Sequence, residues 1–356
     1  MNDKTKILIL SLLLITLASC FNNKSKGNIE ITDMLGRKVF VPEKIEKIIC
    51  LRASALRLVS YIDGVERIVG VEEIEINTKR PYSFAFPQLK KKPSVGPAMG
   101  GDLELITIQN PDLIFITCSS VEDANKLSEK TGIPVVAIEY GDLQNEKTTF
   151  YKALQLIGKI LNKGKRAEEI INFVENNISE LKNLTKDCSP KTAYIGGVAY
   201  SGSHGIVSTE PFYPPFAFVN AKNVAGNLSS EIINPVKGTM IDKEILYQWN
   251  PEYIFLDLSG LDLCKTDLKE NGSLEKLDAI KEENIYSVYP YNSYSINYEL
   301  VLINSWIIGK VLYPEKFKEI NIEEKAKEIL TLFLGKDIFP EIKKLHGNYG
   351  QIDVDK

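Results

Sequence analysis

Blocks of apolar positions alternate with polar blocks along the chain, and the period of the alternation shifts between two and 3.6. Glu30 to Val41 (EITDMLGRKVFV) predicts a small hairpin about a Gly36 turn. Short β-branched runs at Ile45–Leu51, Arg67–Val71, Leu113–Thr117 and Pro134–Ile138 read as buried strands. Between them, Ala53–Ile62, Leu103–Ile108 and Val121–Lys130 have helical spacing. Such β-α-β alternation implies parallel sheets with helices on both faces.

The pattern changes from Asn145 to about Leu184. Two helical stretches follow one another there, punctuated by Asn162-Lys163-Gly164, and the second is long and rich in Glu, Lys and Asn. An amphipathic surface helix would have this composition, but β/α units on either side suit a rigid connector. Alternation then resumes, with strands at Thr192–Ile195, Tyr253–Leu256 and Ile285–Val288 and helices at Asp242–Gln248, Tyr298–Leu312 and Ile322–Leu334. Pro340 onward reads as polar. The fold class is therefore α/β: two lobes with mostly parallel central sheets joined by one long helix. The expected boundaries are an N-terminal lobe over 29–162, a connector over 163–187, a C-terminal lobe over 188–345 and a tail over 346–356. An internal echo supports two lobes. Leu103-Glu104-Leu105-Ile106 precedes Asn110-Pro111-Asp112-Leu113-Ile114-Phe115, and Lys243-Glu244-Ile245-Leu246 precedes Asn250-Pro251-Glu252-Tyr253-Ile254-Phe255.

The first twenty residues add the compartment. Lys4 and Lys6 precede an apolar run from Ile7 to Leu17, too short to span a bilayer comfortably, and Leu17-Ala18-Ser19-Cys20 ends it. This is the form of a secretory leader cut before a cysteine that then carries lipid. A plain leader and a buried apolar helix are the other readings of the run. Residues 21–28 have a tether's polar, small composition. Four cysteines remain after Cys20: Cys50, Cys118, Cys188 and Cys264. The implied compartment permits disulfides, but no CxxC assigns a pairing, and buried free thiols are the favoured reading.

Charge and histidine content narrow the chemistry. A net charge of -4 on 356 residues argues against nucleic acid. His204 and His346 are the only histidines, too few for a multi-histidine metal centre, and no GxSxG elbow or phosphate loop is present. Candidate ligand residues therefore come from loops at the carboxyl ends of strands, where open α/β sheets bind ligands. Arg52 follows the first strand and suits an anion, or pairs with a surface carboxylate. Gly100, in Met99-Gly100-Gly101, brings backbone amides close to a ligand or makes a turn. Ser119 offers a hydroxyl at a helix start, or caps it. Tyr200, Ser203 and His204 lie in a polar loop after a strand. Tyr291 and Tyr294 belong to a tyrosine cluster that packs an interface or faces an oxygen-rich chelate. No arginine follows Arg166, so any guanidinium clamp comes from the first lobe.

ITDMLGRKV at 31–39, Pro42, Ile45–Cys50, Leu103-Glu104 with NPDLI at 110–114, Pro134–Ile138 and SWIIGKVLYPEKF at 305–317 together resemble the substrate-binding lipoproteins of ABC importers for iron–siderophore, haem and cobalamin. The likeness runs from about Ile29 to about Leu334. It implies two α/β lobes on a long helix, a ligand held between them, no enzyme activity and no permanently bound cofactor. It also implies a monomer tethered through Cys20 outside the cytoplasm and docking on a permease dimer with its ATPase. Glu104 and Glu244 match the docking acids of the two lobes. The expected cargo is a ferric siderophore or other iron chelate, with haem or cobalamin next. Molybdate or tungstate follows, on account of the hydroxyl-rich segment 201–215. An exported enzyme and a structural lipoprotein are the readings of other classes.

Overall fold

The computed structural model describes residues 28–200, 202–229, 233, 238–270 and 274–353. The leader, Cys20, tether residues 21–27 and Ser201 lie outside them. Among the described residues, no helix is long and apolar enough to cross a membrane.

Strands β1 (Asn28–Thr32) and β2 (Lys38–Pro42) form the expected antiparallel hairpin. Gly36, at φ 78°, makes the turn, where the left-handed conformation favours glycine. Asp33 accepts from the amides of Leu35 and Arg37 and from the Arg37 guanidinium. It also takes the amide of Ala137 at 3.1 Å, pinning the hairpin to the first lobe.

The first lobe is a four-stranded parallel sheet in the order β4-β3-β5-β6, with β3 Ile48–Leu51, β4 Ile68–Gly70, β5 Leu113–Ile116 and β6 Val135–Ala137. Strands β3 and β5 are buried throughout, as strands covered on both faces must be. Their period-two alternation sends Ile48, Cys50, Leu113 and Phe115 into the main core. Ile49, Leu51, Ile114 and Ile116 go to a separate outer cluster. Helices α1 (Ala55–Tyr61), α2 (Glu73–Ile76), α3 (Pro81–Ala85), α4 (Leu103–Ile108), α5 (Val121–Thr131) and α6 (Lys147–Ile160) complete the lobe.

Helix α7 (Gly164–Thr185) links it to the second lobe. Its 22 residues span about 33 Å at 1.5 Å per residue. Ala167, Ile170, Val174, Ile178 and Leu181 recur at helical spacing and form its buried face.

The second sheet runs β13-β12-β11-β7-β9, with β7 Lys191–Gly196, β9 Ala221–Asn223, β11 Tyr253–Asp257, β12 Ile285–Val288 and β13 Gly350–Gln351. All pairs are parallel except β12 with β13. Two-residue strands β8 (Ser208–Thr209) and β10 (Thr239–Met240) pair beside it. Its helices are α8 (Pro214–Phe218), α9 (Lys243–Trp249), α10 (Leu261–Glu270), α11 (Asp278–Lys281), α12 (Tyr298–Leu312), α13 (Ile322–Leu334) and α14 (Phe339–His346). Helix α12 is buried along nearly its whole length. Its Trp306 donates Nε1–H to Asn177 Oδ1 on α7 at 2.9 Å. One core cluster thus runs through both lobes and the connector.

Two expectations change. The segment 346–356 is not a simple tail: His346 ends α14, β13 pairs with β12, and the Tyr349 ring packs edge-on against Tyr289. The two-residue strand β13 is too short for a period to emerge in the sequence. The four described cysteines are free, but only Cys50 and Cys264 are buried; Cys118 is exposed.

Candidate functional site

A cleft of about 600 Å³ opens between the carboxyl ends of the two sheets. The first lobe contributes Ala53 after β3, Tyr140 after β6, and Ile74, Lys79, Arg80, Pro81 and Phe84 from the excursion after β4. The second lobe contributes Tyr200, Gly202 and Ser203 after β7 and Ser259 after β11. The 290–297 loop after β12 adds Asn292, Ser293, Tyr294 and Ser295, and α14 adds His346.

Charge enters from the first-lobe side. Pro81 opens α3, and its fixed φ suits that position. This leaves Arg80 just ahead of the helix, buried but lining the cleft. Its guanidinium contacts Glu75 and the Tyr82 hydroxyl, both at 3.3 Å, and lies 4.7 Å from the centre of the Tyr294 ring. Its Nε–H has no partner among the described residues. Lys79 beside it is exposed. Burial holds His346 below the usual imidazole range, toward the neutral form.

Beneath this rim lies Glu72. Its carboxylate accepts from the backbone amides of Gly100 at 2.8 Å and Arg52 at 3.0 Å, and from the Tyr294 hydroxyl at 3.2 Å. Burial raises its pKa, and these donors oppose the rise. The Tyr294–Glu72 bond therefore bridges the lobes. Tyr294 and Ser295 both have positive φ, 48° and 75°. Two consecutive non-glycine residues in that region cost about 1–2 kcal/mol each. Such strain persists only where surrounding contacts over-determine the backbone.

On the second-lobe side, burial raises two acids to about 7: Glu210 and Asp257. Tyr291 donates its hydroxyl to Glu210 at 2.5 Å. Ser259 donates both its amide and its hydroxyl to Asp257, at 2.8 and 2.6 Å.

The structure brings Tyr200, Ser203 and Tyr294 together at the cleft, and the other predicted ligand residues do not line it. The Arg52 side chain turns away, toward the Cys118 carbonyl at 2.5 Å and Asp123 at 3.6 Å. Its left-handed backbone, φ 69°, redirects the side chain from the path an extended strand end would give it. Gly100 contributes its amide to Glu72 rather than to the cleft surface. The Ser119 hydroxyl meets the Ser120 carbonyl at 3.2 Å, and it is Ser120 that caps α5. His204 Nε2 lies 2.9 Å from the Tyr200 carbonyl, and Tyr291 is buried under the surface. Sequence reasoning missed Lys79, Arg80, Asn292, Ser293 and His346. The Lys-Arg-Pro step at 79–81 was the available signal, a paired cation ahead of a helix-opening proline.

Glu104 and Glu244 are both exposed in the first turns of α4 and α9. Each helix is followed by a left-handed asparagine, Asn110 at φ 49° or Asn250 at φ 39°, and then a central parallel strand. The sequence echo is therefore an echo of structure.

Two lobes on one long helix with a ligand-sized cleft between them define a solute-binding protein. Residues 48–291 match the model of the periplasmic binding protein family, and the chain belongs to that family. The molybdate-binding protein MolA of Haemophilus influenzae is 24% identical, over 91% of this chain and 95% of that protein. The solved structure of MolA bound to molybdate superposes with a TM-score of 0.67 at 20% identity, covering 87% of this chain and 99% of that one. The iron-uptake system-binding protein of Bacillus subtilis is 24% identical over 64% of this chain and 73% of that protein. The chain is the substrate-binding component of an ABC importer, of a family that works outside the cytoplasm and carries its ligands in transit rather than as permanent cofactors.

Proposed function

We propose that the protein captures an anionic iron chelate of the ferric siderophore kind and delivers it to its permease, tethered to the membrane by lipid on Cys20. The observation carrying this reading is the pairing of Lys79 and Arg80 with Tyr140, Tyr200 and Tyr294 around one cleft. Cations meet the charge of the chelate's oxygens, and the rings and hydroxyls meet its organic frame. The volume supports it: 600 Å³ lies within the range of about 300–1,000 Å³ typical of small-molecule sites. At about 30 Å³ per water-sized oxygen, a tetraoxyanion would fill only about a fifth of it.

Molybdate or tungstate is the second reading, favoured by the likeness to MolA over most of both chains and by the serines at 203, 259, 293 and 295 around the cleft. Docking would use Glu104 and Glu244, whose exposure on matched helices suits pairing with basic groups of a permease and its ATPase complex.

A thermal-shift and calorimetric panel on the chain from residue 21 tests the cargo. A ligand at a hundredfold its dissociation constant adds about 2.7 kcal/mol of stability. A shift with ferric catecholates or hydroxamates supports the chelate reading. A shift with molybdate or tungstate alone replaces it with the oxyanion reading. Charge reversal at Glu104 and Glu244 together should abolish uptake and leave ligand affinity unchanged; undiminished uptake would remove the docking assignment.

A further inference from the structure

Arg57 is 1% exposed on α1, the first helix of the N-terminal lobe, yet most of its hydrogen bonds go to the other lobe. Its Nη2–H donates to the Ser293 carbonyl at 2.8 Å. Its Nη1–H donates to the carbonyls of Ile296 at 2.9 Å and Tyr294 at 3.2 Å, and to Ser54 Oγ at 3.1 Å. Three of the four acceptors are thus backbone oxygens of the loop that carries Ser293, Tyr294 and Ser295 into the cleft. Within that loop, Tyr294 and Ser295 are the two consecutive left-handed residues. The loop's own bonds close its base, from the Asn297 amide and side chain to the Tyr291 carbonyl, and span its tip only once, from the Ser293 amide to the Ser295 carbonyl at 3.0 Å. The tip is held from the opposite lobe.

We infer that Arg57 is a positioning residue for ligand capture: its guanidinium holds the 293–296 loop in the strained backbone form that presents Tyr294 to the cleft. The planar fork matters, because several divergent donors reach three carbonyls at once, and a lysine ammonium cannot reproduce that geometry. The capture half of this inference rests on the solute-binding reading of the cleft; the loop-holding half does not.

The experiment uses the chain from residue 21 as wild type, Arg57→Lys and Arg57→Gln. Hydrogen–deuterium exchange without ligand should show segment 293–297 exchanging at least tenfold faster in both variants, with α1 protection retained in Arg57→Lys. Affinity is then measured by calorimetry with ferric tris-catecholate and with molybdate. For whichever probe the wild type binds, Arg57→Lys should weaken binding about tenfold or more. Adding Ser295→Gly, which accepts a positive φ, should recover part of the loss, as lost core packing would not. Unchanged exchange of 293–297 in the variants overturns the proposal, and so does a faster loop with unaltered affinity. If the wild type binds neither probe, the cargo reading fails, while the exchange comparison still decides the role of Arg57. If neither variant folds, wild-type exchange decides: segment 293–297 must be protected to the level of α1, and fast exchange there overturns the inference.

Discussion

The two lobes share a plan and differ in what they bring to the cleft. Each has a mostly or wholly parallel sheet, a helix with an exposed glutamate in its first turn, a left-handed asparagine and a buried central strand. The N-terminal lobe supplies the guanidinium groups, Arg80 at the cleft surface and Arg57 beneath it, together with Lys79. The C-terminal lobe supplies hydroxyls and aromatic rings, and its buried acids Glu210 and Asp257 face tyrosines, a serine and other acids rather than arginine. The cleft wall is therefore split: one half offers charge, the other offers adaptable hydrogen-bonding groups, and both face the same space. Tyr294 is where they meet, stacked near Arg80 and bonded to Glu72.

The largest effect expected tests whether the lobes are separable at all. Trp306→Ala removes a fully buried ring from α12 and its bond to the connector, and should cost about 3–5 kcal/mol. Because one core runs through both lobes, denaturation followed by tyrosine fluorescence and by circular dichroism should remain one coincident transition. Two separated transitions would break the picture of a shared core.

Next comes the division of labour. Hydrogen bonds to charged groups contribute about 1.5–3 kcal/mol, so Arg80→Gln should weaken binding of the cognate probe by about 10- to 100-fold. Ser203→Ala, across the cleft, should change it less than about fivefold. Calorimetry on the two variants decides; equal losses would erase the distinction between a charged wall and a neutral one.

The buried acids give the C-terminal lobe a pH signature. The folded pKa of Asp257, about 7, lies above the usual carboxylate value near 4. The folded state therefore holds the proton more tightly than the unfolded chain. The stability this contributes is fully present below about pH 4 and lost as pH rises through about 7. Denaturation of the ligand-free protein should show stability falling by up to about 2–3 kcal/mol between pH 5 and pH 8 from this group. Asp257→Asn should flatten that slope. An unchanged slope would mean that the group is ionised in the fold.

The smallest effect separates the matched helices. Asp102 caps α4 by accepting from the amides of Glu104 and Leu105 at 2.9 and 3.0 Å, whereas Asp242 makes no such side-chain bond at α9. Asp102→Ala should cost about 1 kcal/mol and Asp242→Ala close to nothing, read from midpoints in urea.

The lobes, the connector and the matched units were legible in the order of residues because they depend on local rules. Period-two runs such as LIFI at 113–116 make buried strands, and the 3.6-residue spacing from Ala167 to Leu181 makes the connector's buried face. Short elements were not legible: α2, α3 and α11 have four or five residues each, too few for a period to emerge. The cleft was half legible. Tyr200, Ser203 and Tyr294 lie where strand ends put them, whereas the destination of a long side chain depends on backbone φ and on what waits across the lobe boundary. Arg52 illustrates the first dependence and Arg57 the second.

The sequence by itself determined an α/β chain with two repeated halves, a long helix between them, and arginines confined to the first half. All of these follow from nearest neighbours, composition or order along the chain. Only the tertiary structure decided that Arg80 rather than Arg52 faces the cleft, that Arg57 reaches across to the 293–296 loop, and that His346 joins the site from the far end of the chain. These pairings join residues up to 293 positions apart, from Ala53 to His346, and their closeness is a property of packing two sheets against one shared core.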